Sequence, residues 1–209
     1  MAKRTVSVDF VRELLAPRRV SRLLSERQID HISPQLAPRR SAVAAILHDG
    51  ALGPEILLMQ RAVRRGDPWS GQISMPGGMT EKTDADAIAT AVRETIEEVG
   101  VDLDRTATRL GRLDDQVAIA RGRKLGMAIA PFVFWVDDKP KLDLGPEAEA
   151  AFWLPVAPAI NGDLDGFKEW RMAGITRKFP AWVVERYVVW GLTYGMLSKL
   201  FDVAGLARK

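Results

Sequence analysis

The 209-residue chain is predicted to form an α/β fold in which a mixed β-sheet lies between layers of helices. Short apolar runs typical of strands alternate with amphipathic helical segments, but without the strict strand-helix-strand repeat of a wholly parallel sheet. Hydrophobic residues make up 47% and charged residues 27% of the chain, as in ordinary globular proteins. The length suits one substantial core with a few appended helices.

Composition also excludes several classes of function. Thirty basic and 27 acidic residues leave a net charge of +3, which is too weak a bias to indicate a nucleic-acid partner. The lack of cysteine excludes thiol catalysis, disulfides and cysteine-ligated zinc. No apolar run approaches the roughly 18 residues of a membrane span, and no hydrophobic segment follows the basic start. We therefore expect no membrane partner and, by default, a cytoplasmic location.

Residues 1–40 are predicted to form an N-terminal helical extension, ahead of a main domain at residues 41–209. Within the extension, residues 8–15 and 26–36 have the periodicity of short amphipathic helices. Proline then interrupts the chain at Pro38, just before the first predicted strand.

The main domain is predicted to contain five strands, at residues 41–47, 55–60, 109–113, 127–136 and 150–156. The fourth of these runs is apolar enough to be buried on both faces. Residues 157–181 contain turn signals such as Asn161-Gly162-Asp163 and are predicted to be a loop. Residues 182–203 show the periodicity of a long helix, with Gly205 past its end.

A further helix is predicted between the second and third strands, after a Met75-Pro76-Gly77-Gly78 loop. Thr83 or Asp84 would cap its first turn, and Gly100 would supply the left-handed residue that ends it. The inward stripe of this helix is predicted to be Ile88, Val92, Thr95, Ile96 and Val99.

Three glutamates of this helix, Glu94, Glu97 and Glu98, share about a third of its circumference, because residues i, i+3 and i+4 stack on one face. Their charges repel one another unless a cation lies among them, and Mg²⁺ or Mn²⁺ prefers such oxygen ligands. The Gly78 carbonyl would add a ligand, because glycine lets the backbone approach a metal closely. Arg93 would hold a glutamate by charge-assisted hydrogen bonds.

Taken alone, an acidic helix is more often a solvated face than a metal site. The glycine loop, Arg93 and Gly100 at their spacings reverse that preference in favour of a catalytic helix. Hydrolysis of a diphosphate linkage brings water to a phosphorus surrounded by anionic oxygens, whose charge divalent metal ions offset.

Residues 78–101 resemble the Nudix box, written G-x5-E-x7-R-E-U-x-E-E-x-G-U, where U is a bulky aliphatic residue. The matching positions are Gly78, Arg93, Glu94, Glu97, Glu98, Gly100 and Val101. Asp84 stands where the first glutamate of the box belongs, with eight rather than seven residues before Arg93, and Thr95 occupies an aliphatic place.

The one-residue insertion resembles the branch of the family that includes coenzyme A diphosphatases, in which a GQ-x-x-F-P-G-G run precedes the box. Here residues 71–78 read G-Q-I-S-M-P-G-G. Further similarity lies in three segments, residues 57–61, 147–156 and 190–193. Trp69 and Asp67 replace the histidine and arginine that this branch places just ahead of the Gly-Gln pair.

This resemblance implies a Nudix-type α/β/α sandwich and an enzyme that hydrolyses phosphoric anhydride bonds with Mg²⁺ or Mn²⁺ as cofactor. The implied substrate is a small-molecule nucleoside diphosphate derivative, with coenzyme A or acyl-coenzyme A as the nearest guess. Because Trp69 and Asp67 depart from the coenzyme A pattern, a nucleoside diphosphate sugar or ADP-ribose is the alternative substrate. An alternative of another class is a Nudix module that senses nucleotide without cleaving it. Many proteins of the family form homodimers, and the apolar segments at both ends of the chain would serve such a contact.

By the same resemblance, Glu94, Glu97 and Glu98 are metal ligands, and one of them is a candidate base for the attacking water. With Arg93 and Glu147 they make up the predicted catalytic set. Glu147 is a candidate for an extra ligand or base from a separate segment, with Glu149 as its rival.

The predicted substrate contacts are Arg61, Arg64, Gln72, Gly77 and Trp69. The two arginines would clamp phosphates, or belong to a simple basic loop. Gln72 would orient a phosphate or satisfy loop backbone. Trp69 would stack on a nucleobase or pack in the core. The backbone of Gly77 would allow a phosphate to approach closely.

Overall fold

The computed structural model describes residues 5–120, 123–172 and 175–207. Its helices, in chain order, are α1 (Val8–Leu14), α2 (Pro17–Ser25), α3 (Ala87–Val99), α4 (Leu103–Thr106), α5 (Val156–Asn161) and α6 (Gly191–Val203). Its strands are β1 (Arg39–Gly50), β2 (Gly53–Arg61), β3 (Ile73–Ser74), β4 (Gly77–Met79), β5 (Ala107–Arg112), β6 (Gln116–Ala120), β7 (Arg123–Val136), β8 (Ala148–Pro155), β9 (Asp165–Met172), β10 (Ile175–Val184) and β11 (Tyr187–Trp190).

Strands β1 to β8 form one mixed sheet, which is ordered β3-β2-β1-β7-β5, with β4 paired to β1, β6 to β7 and β8 to β2. Strands β1 and β7 run parallel, and the other pairs are antiparallel. Strands β9, β10 and β11 form a second, three-stranded antiparallel sheet. The five predicted strands are confirmed, although most of them extend beyond the predicted limits.

Alternate residues of β1 show how the large sheet separates two hydrophobic cores. Ala44 and Ile46 pack with apolar residues of α3 on one face. Ala45 and Leu47 pack on the other face, with apolar residues of α1, α2 and α6. This arrangement confirms the predicted mixed sheet between helical layers.

The N-terminal segment packs onto the sheet through α1 and α2. The first predicted helix is confirmed, but the second was placed wrongly: it begins at Pro17, the position where proline is best tolerated, and ends before residue 26. Residues beyond α2 are held instead by tertiary hydrogen bonds, since Asp115 accepts from the Ile32 amide at 3.0 Å. The division of the chain at residue 40 stays a prediction.

The predictions for residues 157–181 and 182–203 were wrong. Residues 165–172 and 175–184 form the paired strands β9 and β10 of a hairpin, and the last long helix begins only at Gly191. Trp182 lies in β10 with 1% of its surface exposed, packed against α6 residues Tyr194 and Phe201. Apolar side chains that point into this core from β10 and β11 gave the segment a periodicity that resembled a helix.

Among the described residues, no helix combines the length and the apolar character that a membrane crossing would require. The apolar side chains near both ends of the chain, which suggested a homodimer, include Val11, Leu15, Leu200 and Phe201, all buried in the core.

We expect Leu15→Ala to lower the free energy of unfolding by about 3 kcal/mol, because Leu15 is fully buried and its truncation leaves a cavity. Leu36→Ala is the matched control, since Leu36 is 78% exposed, and it should change this free energy by less than about 0.5 kcal/mol. Urea unfolding followed by circular dichroism measures both values. Equal effects of the two substitutions would contradict a core shared by the N-terminal helices and the sheet.

Candidate active site

Helix α3, which carries the glutamates, has a different cap from the one predicted. Asp86 caps its first turn, accepting a hydrogen bond of 2.8 Å from the Ala89 amide, so the assignment to Thr83 or Asp84 was wrong. Gly100 ends the helix in the left-handed conformation, as predicted, with a φ of 73°.

The inward face of α3 also differs from the predicted stripe. Ile96 is 44% exposed, whereas the carboxyl of Glu98 is buried among the inward residues. Thr95, which stands at an aliphatic position of the box, is fully buried. Its hydroxyl donates to the Ala91 carbonyl at 2.7 Å, so the polar group has a hydrogen-bond partner within the helix. The three glutamates therefore lie at graded depths, with side-chain exposures of 1% for Glu98, 13% for Glu94 and 56% for Glu97.

Glu98 is held between the glycine loop and the end of β2. Its Oε2 accepts a hydrogen bond of 2.8 Å from the Gly77 amide, and its Oε1 lies 3.7 Å from Nη1 of Arg61. This Oε1 is buried and has no hydrogen-bond partner among the described residues. Burial raises the pKa of the Glu98 carboxyl to about 8, against the opposing effects of the Gly77 amide and Arg61.

Both glycines of the loop lie where an added side chain would meet close neighbours. A Cβ on Gly77, whose φ is 148°, would lie 2.2 Å from the Ala42 carbonyl oxygen. A Cβ on Gly78 would lie 2.4 Å from the Glu94 carboxylate, so the backbone of this residue touches the acidic helix directly. Burial raises the pKa of Glu94, although the adjacent Arg93 lowers it.

Arg93 contacts two of the glutamates and an aspartate. Its Nη1 donates to Glu94 at 3.0 Å and to Glu97 at 3.1 Å. Its Nε and Nη2 donate to the two carboxylate oxygens of Asp84 at 2.9 and 3.0 Å, and Nη2 also reaches the Met79 carbonyl. These contacts agree with a role for Arg93 in positioning the glutamates.

Asp84 joins the segment before α3 to the helix itself. Its Oδ2 accepts from the Glu81 amide and the Thr90 hydroxyl, each at 2.9 Å, as well as from Arg93. The hydrogen bonds from Arg93 hold the pKa of Asp84 well below its usual value. The shorter carboxylate at this position of the box is therefore fully engaged within the protein.

Arg61, the last residue of β2, lies between two carboxylates. Its Nε and Nη2 donate to Oδ2 of Asp67 at 3.0 and 2.8 Å, while its Nη1 faces Glu98. Asp67 stands where the coenzyme A branch has an arginine, so the loop carries a negative charge at this position, and that charge pairs with Arg61.

Glu147 and Arg64 form an ion pair of 2.8 Å at the rim of the site. The segment before Glu147 is fixed to the end of α3, because the Gly145 amide donates to the Glu98 carbonyl at 3.0 Å. The charge of Glu147 contributes to the raised pKa of both Glu94 and Glu98. Glu147 therefore lies beside the predicted cluster, whereas its rival Glu149 is exposed on β8.

The other two predicted substrate contacts lie farther from the glutamates. Gln72 lines a cavity between the 67–73 loop and the three-stranded sheet. Trp69 is half-buried against the core, and its indole N–H donates to the Ile119 carbonyl at 3.3 Å. Its position matches the core-packing alternative, and a contact with substrate stays a prediction.

The carboxylates of Glu94, Glu97 and Glu98 are oxygen ligands of the kind that a hard divalent cation prefers, although they do not surround a common point in this structure. Within residues 5–120, 123–172 and 175–207, no three Asp, Glu or His side chains have a geometry that could hold a metal ion. Arg93 lies between Glu94 and Glu97 in this arrangement. Two features nevertheless fit a cation at this place. Oε1 of Glu98 has no hydrogen-bond partner among the described residues, and a cation would bind it. A cation would also stabilise the charged forms of Glu94 and Glu98, whose pKa values burial raises.

Sequence reasoning missed two ion-pair partners and one wall of the cavity. Asp84 was predicted to cap the helix, and Asp67 was interpreted only as a departure from the coenzyme A pattern. In the structure Asp84 binds Arg93 and Asp67 binds Arg61. Lys168 and Trp170, which line the cavity, lie in a segment that was predicted to be a loop. Exposed and half-buried residues alternate along β9, but Phe167 is among the exposed residues and Lys168 among the half-buried ones, so the sequence lacks the apolar–polar alternation that would have indicated a strand.

The fold and site together define a class of protein in which an acidic helix follows a glycine loop on a mixed α/β/α sandwich. A family model described as NUDIX domain matches residues 38–179, which is more than half of the chain. The chain belongs to the Nudix family, which confirms the family predicted from the sequence. Nudix hydrolases act on pyrophosphate bonds, in agreement with the predicted class of enzyme.

Two curated relatives and one solved structure show the extent of this similarity. The chain is 36% identical over 157 residues to an uncharacterized protein of Schizosaccharomyces pombe, and the match covers 66% of this chain but only 47% of that protein. It is 32% identical over 149 residues to the uncharacterized Nudix hydrolase NudL of Escherichia coli K12, covering 70% of this chain and 73% of NudL. A MutT/nudix family protein from Enterococcus faecalis shares the fold, with a TM-score of 0.50, 13% identity, and coverage of 94% of this chain and 73% of that chain.

Asp84→Asn is expected to lower the free energy of unfolding at pH 7 by about 2 kcal/mol, because Arg93 loses the most buried of its three charged partners. The pKa of Asp84 is lower in the folded protein than the usual 3.8, so this stabilisation is complete well above pH 3.8 and is lost as the pH falls through the folded-state pKa. Chemical denaturation at several pH values measures the difference, with Asp138→Asn at an exposed position as control. A difference that stays constant into strong acid would contradict the assignment.

Proposed function

We propose that this chain is a Mg²⁺- or Mn²⁺-dependent hydrolase that cleaves the diphosphate linkage of a nucleoside diphosphate derivative. The observation that carries the proposal is the buried Glu98 carboxyl, whose Oε1 lacks a hydrogen-bond partner among the described residues. The other oxygen of the same carboxyl, Oε2, accepts from the Gly77 amide of the glycine loop, and Glu98 shares its helix with Glu94, whose pKa is also raised. Most buried carboxylate oxygens gain a hydrogen-bond partner, so an oxygen without one, on an acidic helix beside the glycine loop, supports a place for a cation.

Glu94, Glu97 and Glu98 would hold the metal, together with the carbonyl of Gly78. When bound, the metal supplies positive charge that offsets the phosphate oxygens and lowers the pKa of the attacking water. The direct contact between Gly78 and Glu94 favours this set, since a side chain at Gly78 would fill the space beside the carboxylate.

The other residues of the site would position substrate and glutamates. Arg93, fixed by Asp84, orients Glu94 and Glu97. Arg61 is held by Asp67 next to Glu98, where a guanidinium can pair with a phosphate oxygen. The Arg64 and Glu147 pair at the rim offers a second cation for phosphate and a further carboxylate. The proton of the attacking water would pass to one of the glutamates of α3 or to Glu147.

Coenzyme A or acyl-coenzyme A is the substrate that we propose first, with cleavage to a phosphopantetheine and adenosine 3′,5′-bisphosphate. Support comes from the G-Q-I-S-M-P-G-G run at residues 71–78, which resembles the run that precedes the box in the coenzyme A branch. A nucleoside diphosphate sugar or ADP-ribose is the second candidate, because Asp67 binds Arg61 where the coenzyme A branch has an arginine. The homodimer and the cytoplasmic location stay predictions.

Glu98→Gln is expected to lower kcat at least about a hundredfold with Mg²⁺, because it removes a metal-binding charge and a candidate base. The variant should fold normally, since glutamine keeps an acceptor for the Gly77 amide and removes a charge that burial disfavours. The assay compares coenzyme A, acyl-coenzyme A, ADP-ribose and a nucleoside diphosphate sugar, with mass spectrometry of the products.

Glu149→Gln is the matched control for this experiment, because Glu149 is exposed and should leave kcat unchanged. Near wild-type turnover by Glu98→Gln would refute the catalytic assignment. Tight binding of a nucleotide with no product from any substrate would instead favour the sensing module. The substrate with the highest kcat/KM decides between coenzyme A and its alternatives.

Addition of saturating Mn²⁺ is expected to raise the Tm of the wild-type protein by several degrees, because a ligand that binds only the folded state adds about 2.7 kcal/mol at a hundred times its Kd. The increase should be strongly reduced in Glu98→Gln and retained in Glu149→Gln. Calorimetric melting with and without Mn²⁺ measures it independently of turnover. The same increase in all three proteins would place the metal elsewhere.

A further inference from the structure

A cavity of about 330 Å³ lies between the 67–73 loop and one face of the β9–β11 sheet. Gln60 of β2, Asp67 and Gln72 form one wall, and side chains of β9 and β11 form the other. Ligand pockets span roughly 300–1,000 Å³, so this cavity suits one part of a substrate rather than a complete dinucleotide-sized molecule.

The sheet side of the cavity is aromatic. Alternation along β9 directs Trp170 toward the cavity, where the centroid of its ring lies 5.6 Å from that of Trp190. The ring of Phe179 in β10 is also close to Trp190, at 5.7 Å between centroids. Trp170 and Trp190 are only half-buried and both line the cavity, so ring surface remains available for a planar ligand.

Two cationic side chains line the same cavity. The side chain of Lys168, two residues before Trp170 on the same face of β9, forms no hydrogen bond or ion pair within the described part of the chain. Arg186 lies over the Tyr187 ring and donates to its hydroxyl at 3.0 Å, which leaves its other N–H groups for a ligand. The single carboxylate of the lining, Asp67, is already paired with Arg61. The cavity therefore has an excess of positive charge.

The cavity is connected to the proposed site of hydrolysis through two side chains. Asp67 lines the cavity and binds Nη2 of Arg61 at 2.8 Å, and Nη1 of the same guanidinium lies 3.7 Å from Glu98. A molecule whose diphosphate reaches Arg61 and the α3 glutamates can thus place its next group in the cavity.

We propose that this cavity binds the nucleoside end of the substrate, with the base against Trp170 and Trp190 and a ribose-linked phosphate at Lys168 and Arg186. The amides of Gln60 and Gln72 are then available for the polar edge of the base. The proposal rests on the proposed function for its substrate class, and it narrows that class to nucleosides that carry a phosphate besides the diphosphate. Adenosine 3′,5′-bisphosphate, the corresponding half of coenzyme A, is the fragment with this chemistry.

The test measures binding of adenosine 3′,5′-bisphosphate by isothermal titration calorimetry to the full chain, without divalent metal, so that no hydrolysis is involved. We expect Trp170→Ala to raise the Kd about tenfold, as the loss of one stacked ring does for other bases. Trp170→Phe should restore most of the affinity. Lys168→Ala should also raise the Kd about tenfold for the bisphosphate, but much less for adenosine 5′-monophosphate, which lacks the second phosphate.

Matched controls lie on the opposite face of the same hairpin. Phe167→Ala removes an exposed aromatic ring, and Lys178→Ala removes a lysine that is paired with Glu169 at 3.2 Å. Neither control should change the Kd, and the Tm of each variant verifies folding. An unchanged Kd in Trp170→Ala and Lys168→Ala, or no binding by the wild-type protein, would overturn the proposal.

The two proposals can fail separately. Hydrolysis that depends on Glu98 but is indifferent to Lys168 and Trp170 would retain the enzyme and reject the nucleoside site. Binding that depends on Lys168 and Trp170, in a protein without turnover on any substrate, would retain the nucleoside site and reject the hydrolase.

Discussion

The buried carboxyl of Glu98 constrains everything around it, because an acidic group that leaves water must gain hydrogen bonds, a counter-charge or a proton. The glycine loop supplies the Gly77 amide at 2.8 Å, and this requires a residue without a side chain at position 77, where β4 pairs with β1. Arg61 supplies a counter-charge at 3.7 Å, and this requires the end of β2 to lie against α3. One oxygen of Glu98 is still left without a hydrogen-bond partner among the described residues, and that deficit is the basis of the proposed chemistry.

Two arginines and two aspartates maintain this arrangement from either side. Asp84 fixes Arg93, and Asp67 fixes Arg61, so each guanidinium is held by a carboxylate that is not one of the α3 glutamates. A planar guanidinium bound on one edge keeps its remaining N–H groups in a defined direction. The acidic helix is therefore neutralised in part by cations whose positions are set elsewhere in the chain.

Local sequence signals made the central part of the site predictable. The residues that contact it from other segments of the chain could not be predicted in this way. The glutamates of α3, Arg93, the glycine pair and Gly100 lie within 24 residues, from Gly77 to Gly100, and their spacing alone indicates a helix behind a turn. Asp67 and Asp84 were misjudged because their partners are determined by side-chain contacts that spacing does not encode. Residues 26–36 and 157–181 were predicted wrongly for a related reason. Hydrogen bonds to Asp114 and Asp115 hold the first segment in a non-helical conformation. In the second segment, pairing between β9 and β10 overrides the local preference of its turn-forming residues.

The three-stranded sheet shares no ladder hydrogen bonds with the eight-stranded sheet in the described part of the chain. Changes in the length or composition of the β9–β10 hairpin would thus leave the backbone pairing beneath the acidic helix intact. Such a separation allows relatives to diverge in ligand preference by remodelling a peripheral hairpin while the hydrolytic scaffold is inherited unchanged. It also makes the hairpin a natural segment to exchange between relatives when a new selectivity is to be engineered.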